Sequence, residues 1–198
     1  MPTTVIIPVK SFSLGKRRLS QVLTPEMRGR LGRGLAEHVA STVTSAGQLP
    51  VIVTADPEVA QWSTRAGFPS LADPGRGLDE AARTGVEWAL HTAGAWMVLH
   101  SDLPLLGVDD VRHLGVLLEE RGSVIAPSSD GGTSAIGSEQ PVRFSFGASS
   151  FHRHLLRLSD PGVVARAGLL HDLDSPDDLI STASTLRGRW IEELVGPI

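Results

Sequence analysis

Short apolar runs alternate with amphipathic helical patterns along this chain, and this alternation constrains its fold more than any other feature. Buried strands are predicted at residues 3–9, 50–56, 95–102 and 122–128. Helices are predicted at 24–46, 57–66, 78–92, 107–121, 149–158 and 186–195, and another begins at 175–178. Two later stretches, 141–146 and 168–174, are also predicted to be extended strands. Such alternation favours an α/β fold with three α/β/α layers around a mostly parallel mixed sheet.

Length, charge and cysteine content narrow the class of protein. The 198 residues suit a single domain, 1–198. Lysine and arginine number 18 against 22 aspartate and glutamate, so a broad cationic surface for nucleic acid is excluded. Cysteine is absent, which excludes disulfides and cysteine nucleophiles. The N-terminal stretch MPTTVIIPVK carries neither a signal-peptide pattern nor a membrane span, so a cytoplasmic location is expected.

A basic loop follows the first predicted strand, in the stretch IPVKSFSLGKRRLS. Gly15 lies there among the cations Lys10, Lys16 and Arg18. Backbone N–H groups and cations at the carboxyl end of a strand favour phosphate binding. The spacing matches neither the Walker A motif nor G-x-G-x-x-G. We therefore predict a site for a small anionic ligand, with a solvated basic loop as the alternative.

Aspartates follow two of the predicted strands. Asp102 ends an apolar strand in LHSDLPLL, where an unpaired charge would be costly. Asp172 and Asp174 are two residues apart in a predicted extended stretch, so their side chains share one face. Such oxygen ligands suit Mg²⁺ or Mn²⁺ and indicate metal-assisted phosphoryl or nucleotidyl transfer. Turn or helix-cap aspartates are the alternative, and His100 is interpreted as a packed strand residue.

Two stretches of small polar residues, DGGTSAI and FGASS, indicate a second anion site. Thr133 and Ser134 follow two glycines that leave backbone N–H groups unshielded. Gly147 and Ser150 lie where a helix is predicted to begin, and helix N-termini favour anions. An anionic second substrate is therefore expected, with ordinary capped loops as the alternative. The adjoining segment FHRHLLR is interpreted as a solvated helix face.

These motifs together resemble a known family. The stretches IPVKSFSLGKRRLS, LADPGRGLDEAA, LHSDLPLL, DGGTSAI, FSFGASS and HDLDSPDDL stand in the order found in guanylyltransferases of coenzyme F(420) biosynthesis. That family comprises the 2-phospho-L-lactate guanylyltransferases and their phosphoenolpyruvate-using relatives. The resemblance implies a nucleotidyltransferase fold related to glycosyltransferase-A domains. It also implies transfer of GMP from GTP to the phosphate of a small phosphorylated acid, with release of pyrophosphate.

The resemblance further implies roles for individual residues. It assigns catalysis to Lys16, Arg18 and Asp102, and Mg²⁺ (or Mn²⁺) binding to Asp102, Asp172 and Asp174. Substrate binding falls on Lys10, Thr133, Ser134, Gly147 and Ser150. GTP and a small phosphorylated acid are the expected partners, with handover of a labile product to the next pathway enzyme. The sequence leaves the oligomeric state and the identity of the acid open.

Two positions depart from the family pattern, and two other functions compete. Asp79 stands where the family often has asparagine, and Ala148 stands where it often has proline. One competing interpretation is a nucleotidyltransferase for another acceptor such as a sugar phosphate, which the lack of an opening AGG-like loop disfavours. The other is a non-catalytic module that binds a phosphorylated metabolite, which the presence of all three aspartates disfavours.

Overall fold

The structure, a computed structural model, describes residues 2–13, 15–92 and 94–196; Leu14 of the predicted phosphate loop lies outside the described residues. The described strands are β1 (Thr4–Pro8), β2 (Leu49–Thr54), β3 (Ser70–Ala72), β4 (Trp96–Leu99), β5 (Ser123–Pro127), β6 (Thr133–Ser138) and β7 (Gly162–Val163). The described helices are α1 (Pro25–Ser45), α2 (Pro57–Arg65), α3 (Leu78–Thr92), α4 (Val108–Arg121), α5 (Ser150–Leu155), α6 (Ala167–Leu170), α7 (Pro176–Ala183) and α8 (Ile191–Val195), and a 3-10 helix spans Arg17–Gln21.

The described strands form one seven-stranded sheet in the order β3-β2-β1-β4-β6-β5-β7. β1 pairs in parallel with β2 and β4, and β2 with β3, whereas β6 is antiparallel to both β4 and β5. The predicted mostly parallel mixed sheet is therefore confirmed. Because β6 is reversed, its first residue, Thr133, lies at the edge where β4 and β5 end.

Both faces of the sheet are covered by helices, which confirms the predicted three layers. Val5 and Ile7 of β1 pack on the face covered by α1, α2 and α4, whereas Ile6 packs toward α3. Alternate strand residues point to opposite faces, so a strand covered on both sides is apolar throughout. A third apolar cluster, which includes Leu19 and Leu173, ties the 3-10 helix and the segment before α7 to α1. No helix in the described ranges is long and apolar enough to cross a membrane.

Two helix starts that the sequence predicts are confirmed at the level of individual hydrogen bonds. Thr24 precedes Pro25, and its Oγ1 accepts from the N–H of Met27, 3.2 Å away. Ser175 and Asp178 bond each other reciprocally at the start of α7, with Asp178 N–H donating to Ser175 Oγ at 3.2 Å. Each contact satisfies a backbone donor that the helix itself leaves free, so α1 and α7 begin where local chemistry dictates.

Two predicted strands are wrong. The stretch 141–146 stays out of the sheet because Pro141 has no N–H to donate, and because Ser145 and Phe146 donate their N–H groups to side chains. The stretch 168–174 is not a strand either, since it begins inside α6 and continues as an irregular segment.

The sequence does not predict β6, whose residues TSAIGS are too small and polar to stand out as a strand. A glycine weakens an isolated strand, yet at Gly137 the sheet requires one. A Cβ atom at that position would lie 2.7 Å from Cγ of Met97 on the neighbouring strand. Close packing between β4 and β6 therefore explains why a glycine stands at position 137, although glycine has a low intrinsic preference for strands.

Candidate active site

A cavity of about 790 Å³ opens at the carboxyl ends of β1, β2 and β4. Cavities at this edge of parallel sheets are where ligands bind in open α/β folds. Its wall includes Lys10, Lys16 and the three aspartates that the sequence singles out: Asp102, Asp172 and Asp174. It extends along the motif LADPGRGLDEAA, through Asp73, Gly75, Gly77, Leu78 and Ala81. The predicted basic and acidic residues therefore meet in one cavity.

Lys16 lies at the centre of the charged part of this cavity. Its Nζ donates to Asp102 Oδ2 at 2.8 Å and to the carbonyl oxygen of Leu173 at 2.5 Å, and it lies 3.6 Å from Asp174 Oδ1. The Lys16 backbone is left-handed, with φ 51°, a conformation that a non-glycine residue keeps only where its surroundings hold it. The side chain is 11% exposed. Lys16 is thus held among carboxylates by both its backbone and its ammonium group.

Asp102 follows β4, and the protein brings its carboxylate to Lys16. Its carbonyl oxygen accepts from the N–H of Leu173 at 3.0 Å, which docks the irregular segment 171–174 against the end of β4. Burial opposes ionisation of Asp102, but Lys16 holds the pKa of this carboxyl below its usual range. Within the described residues its Oδ1 is buried without a hydrogen-bond partner. Lys16 thus neutralises one carboxylate oxygen of Asp102, and the other has no hydrogen-bond partner among the described residues.

Asp172 and Asp174 flank the buried side chain of Leu173, so both line the cavity although they are not in a strand. Burial, together with the neighbouring Asp102, raises the pKa of Asp172. Asp174 accepts a hydrogen bond from Arg18 on Oδ2 at 3.0 Å. The prediction that these side chains share a face agrees with their positions, whereas the strand assumed for them is wrong.

A divalent cation fits part of this acidic group. In the described ranges, no three His, Cys, Asp or Glu side chains are already arranged to hold a metal ion. Lys16 Nζ lies between Asp102 and Asp174 instead. However, within the described residues Asp102 has an oxygen without a hydrogen-bond partner, and burial together with Asp102 disfavours the charged form of Asp172. Unpaired carboxylate oxygens at a cavity wall are the donors that Mg²⁺ and Mn²⁺ prefer.

The remaining basic residues lie at different depths. Lys10 follows β1 and lies exposed at the cavity wall. Arg18 lies on the 3-10 helix with 76% of its side chain exposed, outside the cavity lining, and reaches Asp174 from the solvent side. The N–H₂ group of Arg28 donates to the carbonyl oxygen of Gly15 at 3.3 Å and supports the loop before Lys16.

The predicted acid-binding residues separate into one at the wall and three behind it. Gly147 lines the cavity. Thr133, Ser134 and Ser150 are buried outside the lining. Ser134 Oγ donates to the carbonyl oxygen of Pro127 at 3.1 Å, while Thr133 Oγ1 lies 3.0 Å from Ser150 Oγ. The hydroxyls of this group thus serve internal contacts, and Gly147 faces the ligand space.

The two glycines of DGGTSAI form the turn between β5 and β6. Gly131 has φ 81°, which favours glycine, and the N–H of Gly132 donates to Asp130 Oδ1 at 2.8 Å. Ser128 Oγ donates to the same oxygen at 2.5 Å, and these bonds lower the pKa of Asp130. Hairpin geometry therefore accounts for the glycine pair that the sequence assigns to an anion site.

Sequence reasoning misses the contacts that two side chains make near Gly147. Asp79, near the start of α3, accepts from the N–H of Phe146 with Oδ1 at 2.7 Å. His154, in the segment interpreted as a solvated helix face, is completely buried. A signal for His154 exists in the spacing, since Ser150 lies four residues earlier on the same face of α5. Asp79 has no local signal, because its partner is far away in sequence.

The sheet order and the helices on both of its faces define a nucleotidyltransferase-type α/β fold. A suggested nucleotide-diphospho-sugar transferase from Desulfovibrio desulfuricans G20 has the same fold, with a TM-score of 0.77 at 15% identity over 98% of this chain and 95% of that chain. The chain belongs to the family described as guanylyl transferase CofC like, whose family model matches residues 3–167. The nucleotidyltransferase fold and the family that the sequence resembles are both confirmed.

Relatives with named activities cover nearly the whole chain. A phosphoenolpyruvate guanylyltransferase from Sphaerobacter thermophilus is 35% identical over 189 residues, which is 90% of this chain and 91% of the relative. A 2-phospho-L-lactate guanylyltransferase from Methanopyrus kandleri is 31% identical over 184 residues, 90% of each. The chain is therefore similar to enzymes named for either acid.

Proposed function

We propose that this protein transfers GMP from GTP to the phosphate of a small phosphorylated acid, phosphoenolpyruvate or 2-phospho-L-lactate, on the way to coenzyme F(420). One observation carries the proposal: Lys16 and the carboxylates Asp102, Asp172 and Asp174 meet at one cavity in a chain of the guanylyl transferase family. The cavity volume of about 790 Å³ lies within the usual range for small-molecule sites.

The reaction requires no protein nucleophile. A phosphate oxygen of the acid attacks the α-phosphorus of GTP, a new P–O bond forms, and the bond to the β-phosphate breaks to release pyrophosphate. Two anions have to approach each other, so their mutual repulsion is the main barrier. Lys16 and Lys10 lie where they would bind the nucleotide phosphates, and Arg18 would add charge from the rim. Lys16 would also stabilise the charge that grows on the leaving pyrophosphate.

Asp102, Asp172 and Asp174 are the residues that would hold Mg²⁺ or Mn²⁺. A bound divalent cation supplies charge neutralisation and orients phosphate oxygens. The chain's own contribution is to bring these carboxylates to one wall, with Asp102 held ionised by Lys16. Asp174 has to exchange part of its contact with Lys16 and Arg18 for that role, and its 45% side-chain exposure leaves room to do so.

The acid would bind beside Gly147, which lines the cavity next to Phe146. The loop 144–150, here named the acceptor loop, brings Gly147 to the wall. Thr133 and Ser150, buried behind it, would support the loop and reach the acid only after a local rearrangement. We assign the nucleotide to the part of the cavity along residues 73–81, next to the ends of β2 and β3.

An assay with GTP, Mg²⁺ and one acid at a time tests the proposal through pyrophosphate release. Phosphoenolpyruvate, 2-phospho-L-lactate and 3-phosphoglycerate are the acids, and CTP, UTP and ATP replace GTP in parallel reactions. We expect release that requires GTP and one of the first two acids. Release with a sugar phosphate and another nucleotide would replace this proposal with the competing transferase. Ligand binding without any release would indicate a binding module.

Asp79 provides a prediction about the acceptor loop. We expect Asp79→Asn to keep the acid KM within about twofold, because the amide oxygen can accept from Phe146 N–H. Asp79→Ala leaves that N–H without its partner, and we expect the acid KM to rise about fivefold. The effect is smaller than for a buried hydrogen bond, because Asp79 is exposed and water can replace it. Steady-state kinetics with each substrate varied in turn measures both. Equal impairment of the two variants would mean that the charge of Asp79 matters rather than its hydrogen bond.

A further inference from the structure

His154 on α5 is completely buried, and both of its ring nitrogens are engaged. The N–H of Ser145 donates to Nε2 at 2.9 Å. Nδ1 lies 2.9 Å from Oγ1 of Thr133. A buried imidazole with two such partners belongs to a hydrogen-bond network, and such networks specify one arrangement of the groups that they join.

The partners of His154 determine where its proton lies. A backbone N–H can only donate, so Nε2 accepts, and the neutral ring carries its hydrogen on Nδ1. That hydrogen is donated to Thr133 Oγ1, which in turn lies 3.0 Å from Ser150 Oγ. Burial, reinforced by Arg157, lowers the pKa of His154 to about 4, so the ring is neutral near pH 7. The hydrogen-bond network from Ser145 to Ser150 is therefore complete when the His154 ring is neutral.

This hydrogen-bond network joins the two ends of the acceptor loop. Ser145, near the loop's start, bonds His154 directly, and Ser150, at its end, is reached through Thr133. Between them Gly147 lines the cavity with φ 110°. The loop's conformation at Gly147 thus depends on two anchor points that meet at one side chain.

His154 also packs against the side of the loop that faces the carboxylates. The His154 and Phe146 rings are T-shaped with centroids 4.8 Å apart. Phe146 in turn contacts His100, with ring centroids 5.3 Å apart, and His100 lines the cavity two residues before Asp102. A change in the position of His154 would therefore be transmitted to the wall between Gly147 and Asp102.

Two arginines of the same stretch hold the loop as well, but from outside. Arg153 donates to the carbonyl oxygen of Ser145 at 2.8 Å, and Arg157 donates to Ser145 Oγ at 2.8 Å. The Arg157 contact is exposed, so water competes for it. The His154 contacts to Thr133 are buried, where an unmade hydrogen bond is more costly. Arg153 also donates to the carbonyl oxygen of Ala148 at 2.7 Å and so holds the loop on both sides of Gly147, but His154 does this through the buried network that reaches Ser150.

We propose that His154 is a positioning residue for the phosphorylated acid: it holds both ends of the acceptor loop so that Gly147 is presented to the cavity. The inference rests on the proposed function and deepens it. His154 touches neither substrate in this arrangement and acts through Ser145, Thr133 and Ser150.

Three substitutions at His154 separate its two hydrogen bonds. His154→Asn places an amide near the Nδ1 position and can still donate to Thr133. His154→Gln reaches the Nε2 position and can still accept from Ser145. His154→Leu removes both bonds. We expect the acid KM to rise about tenfold in His154→Leu and by less in the other two, because each of those leaves one fewer partner unsatisfied.

A general structural defect would raise the KM for GTP together with the KM for the acid. The KM for GTP therefore distinguishes such a defect from a positioning role. We expect it to stay within about twofold of the wild type in all three variants, since neither hydrogen bond of His154 goes to residues 73–81. His152→Leu, an exposed position on the same helix, is the matched control and should change neither constant. Melting temperatures are measured in parallel for each variant.

A double-mutant cycle tests whether His154 acts through Thr133. If it does, His154→Leu combined with Thr133→Val should raise the acid KM no more than the larger single effect, because both remove the same connection. Equal rises in both KM values, or independent effects of the two substitutions, would overturn the positioning role. An unchanged acid KM in folded His154→Asn and His154→Gln would do so too. A wild-type protein that transfers no GMP would overturn the proposed function and this inference with it.

Discussion

Asp102→Asn should stop guanylyl transfer while leaving the protein folded. Asp102 Oδ2 accepts from Lys16, and its Oδ1 is the buried oxygen without a partner in the described residues. Asparagine preserves the shape but removes the charge that balances Lys16 and that would bind a cation. We expect kcat/KM to fall at least about a thousandfold, equivalent to about 4 kcal/mol of transition-state stabilisation.

Pyrophosphate release, measured beside a thermal melt, checks this expectation. Asp109→Asn is the matched control, because Asp109 is an exposed aspartate on α4 whose ion-pair partner among the described residues is Arg112, at 3.7 Å. That variant should keep wild-type activity. If folded Asp102→Asn protein releases pyrophosphate at a rate near that of the wild type, Asp102 has no place in the reaction.

Lys16→Ala should weaken GTP use and leave the acidic group without its buried cation. We expect a higher KM for GTP and a kcat about a hundredfold lower, since one donor to the leaving phosphates is lost. Asp102, Asp172 and Asp174 would then repel one another without the ammonium group that now separates two of them. The variant should therefore be less stable than the wild type in the absence of divalent ions.

The same variant reveals whether the aspartates bind a divalent cation, independently of activity. Removing Lys16 leaves three carboxylates for the ion, so Mg²⁺ should bind more tightly and raise the melting temperature more than in the wild type. Arg17→Ala, which removes an exposed cation one residue away, is the control and should respond as the wild type does. An equal Mg²⁺ response in Lys16→Ala and wild type would contradict a cation site at these aspartates.

Local signals in the sequence are sufficient for much of this fold. The runs that form β1, β2, β4 and β5 are apolar over four or more residues, because these strands are buried on both faces. Thr24 with Pro25, and Ser175 with Asp178, place two helix starts through bonds between near neighbours. Lys16 and Asp102 are also placed in one region, since each follows one of two parallel strands, β1 and β4, that end at the same edge.

What the sequence does not reveal depends on contacts between distant residues. β6 forms because its small residues fit closely against β4, which no property of TSAIGS alone indicates. Asp172 and Asp174 reach Asp102 through a single backbone bond from Leu173, not through a strand. His154 is buried because Ser145 and Thr133 supply partners from other segments. Propensity describes a residue's neighbours in the chain, whereas these features depend on its neighbours in space.

The reversed direction of β6 has a consequence for how such a protein can diverge. Because β6 begins where its neighbours end, the turn at 128–132 and Thr133 belong to a hairpin that is joined to the rest of the sheet by β4 alone on one side. Insertions or exchanges in that hairpin can change the support that Thr133 gives to Ser150 behind the acceptor loop, while the parallel half, from β3 to β4, keeps its geometry.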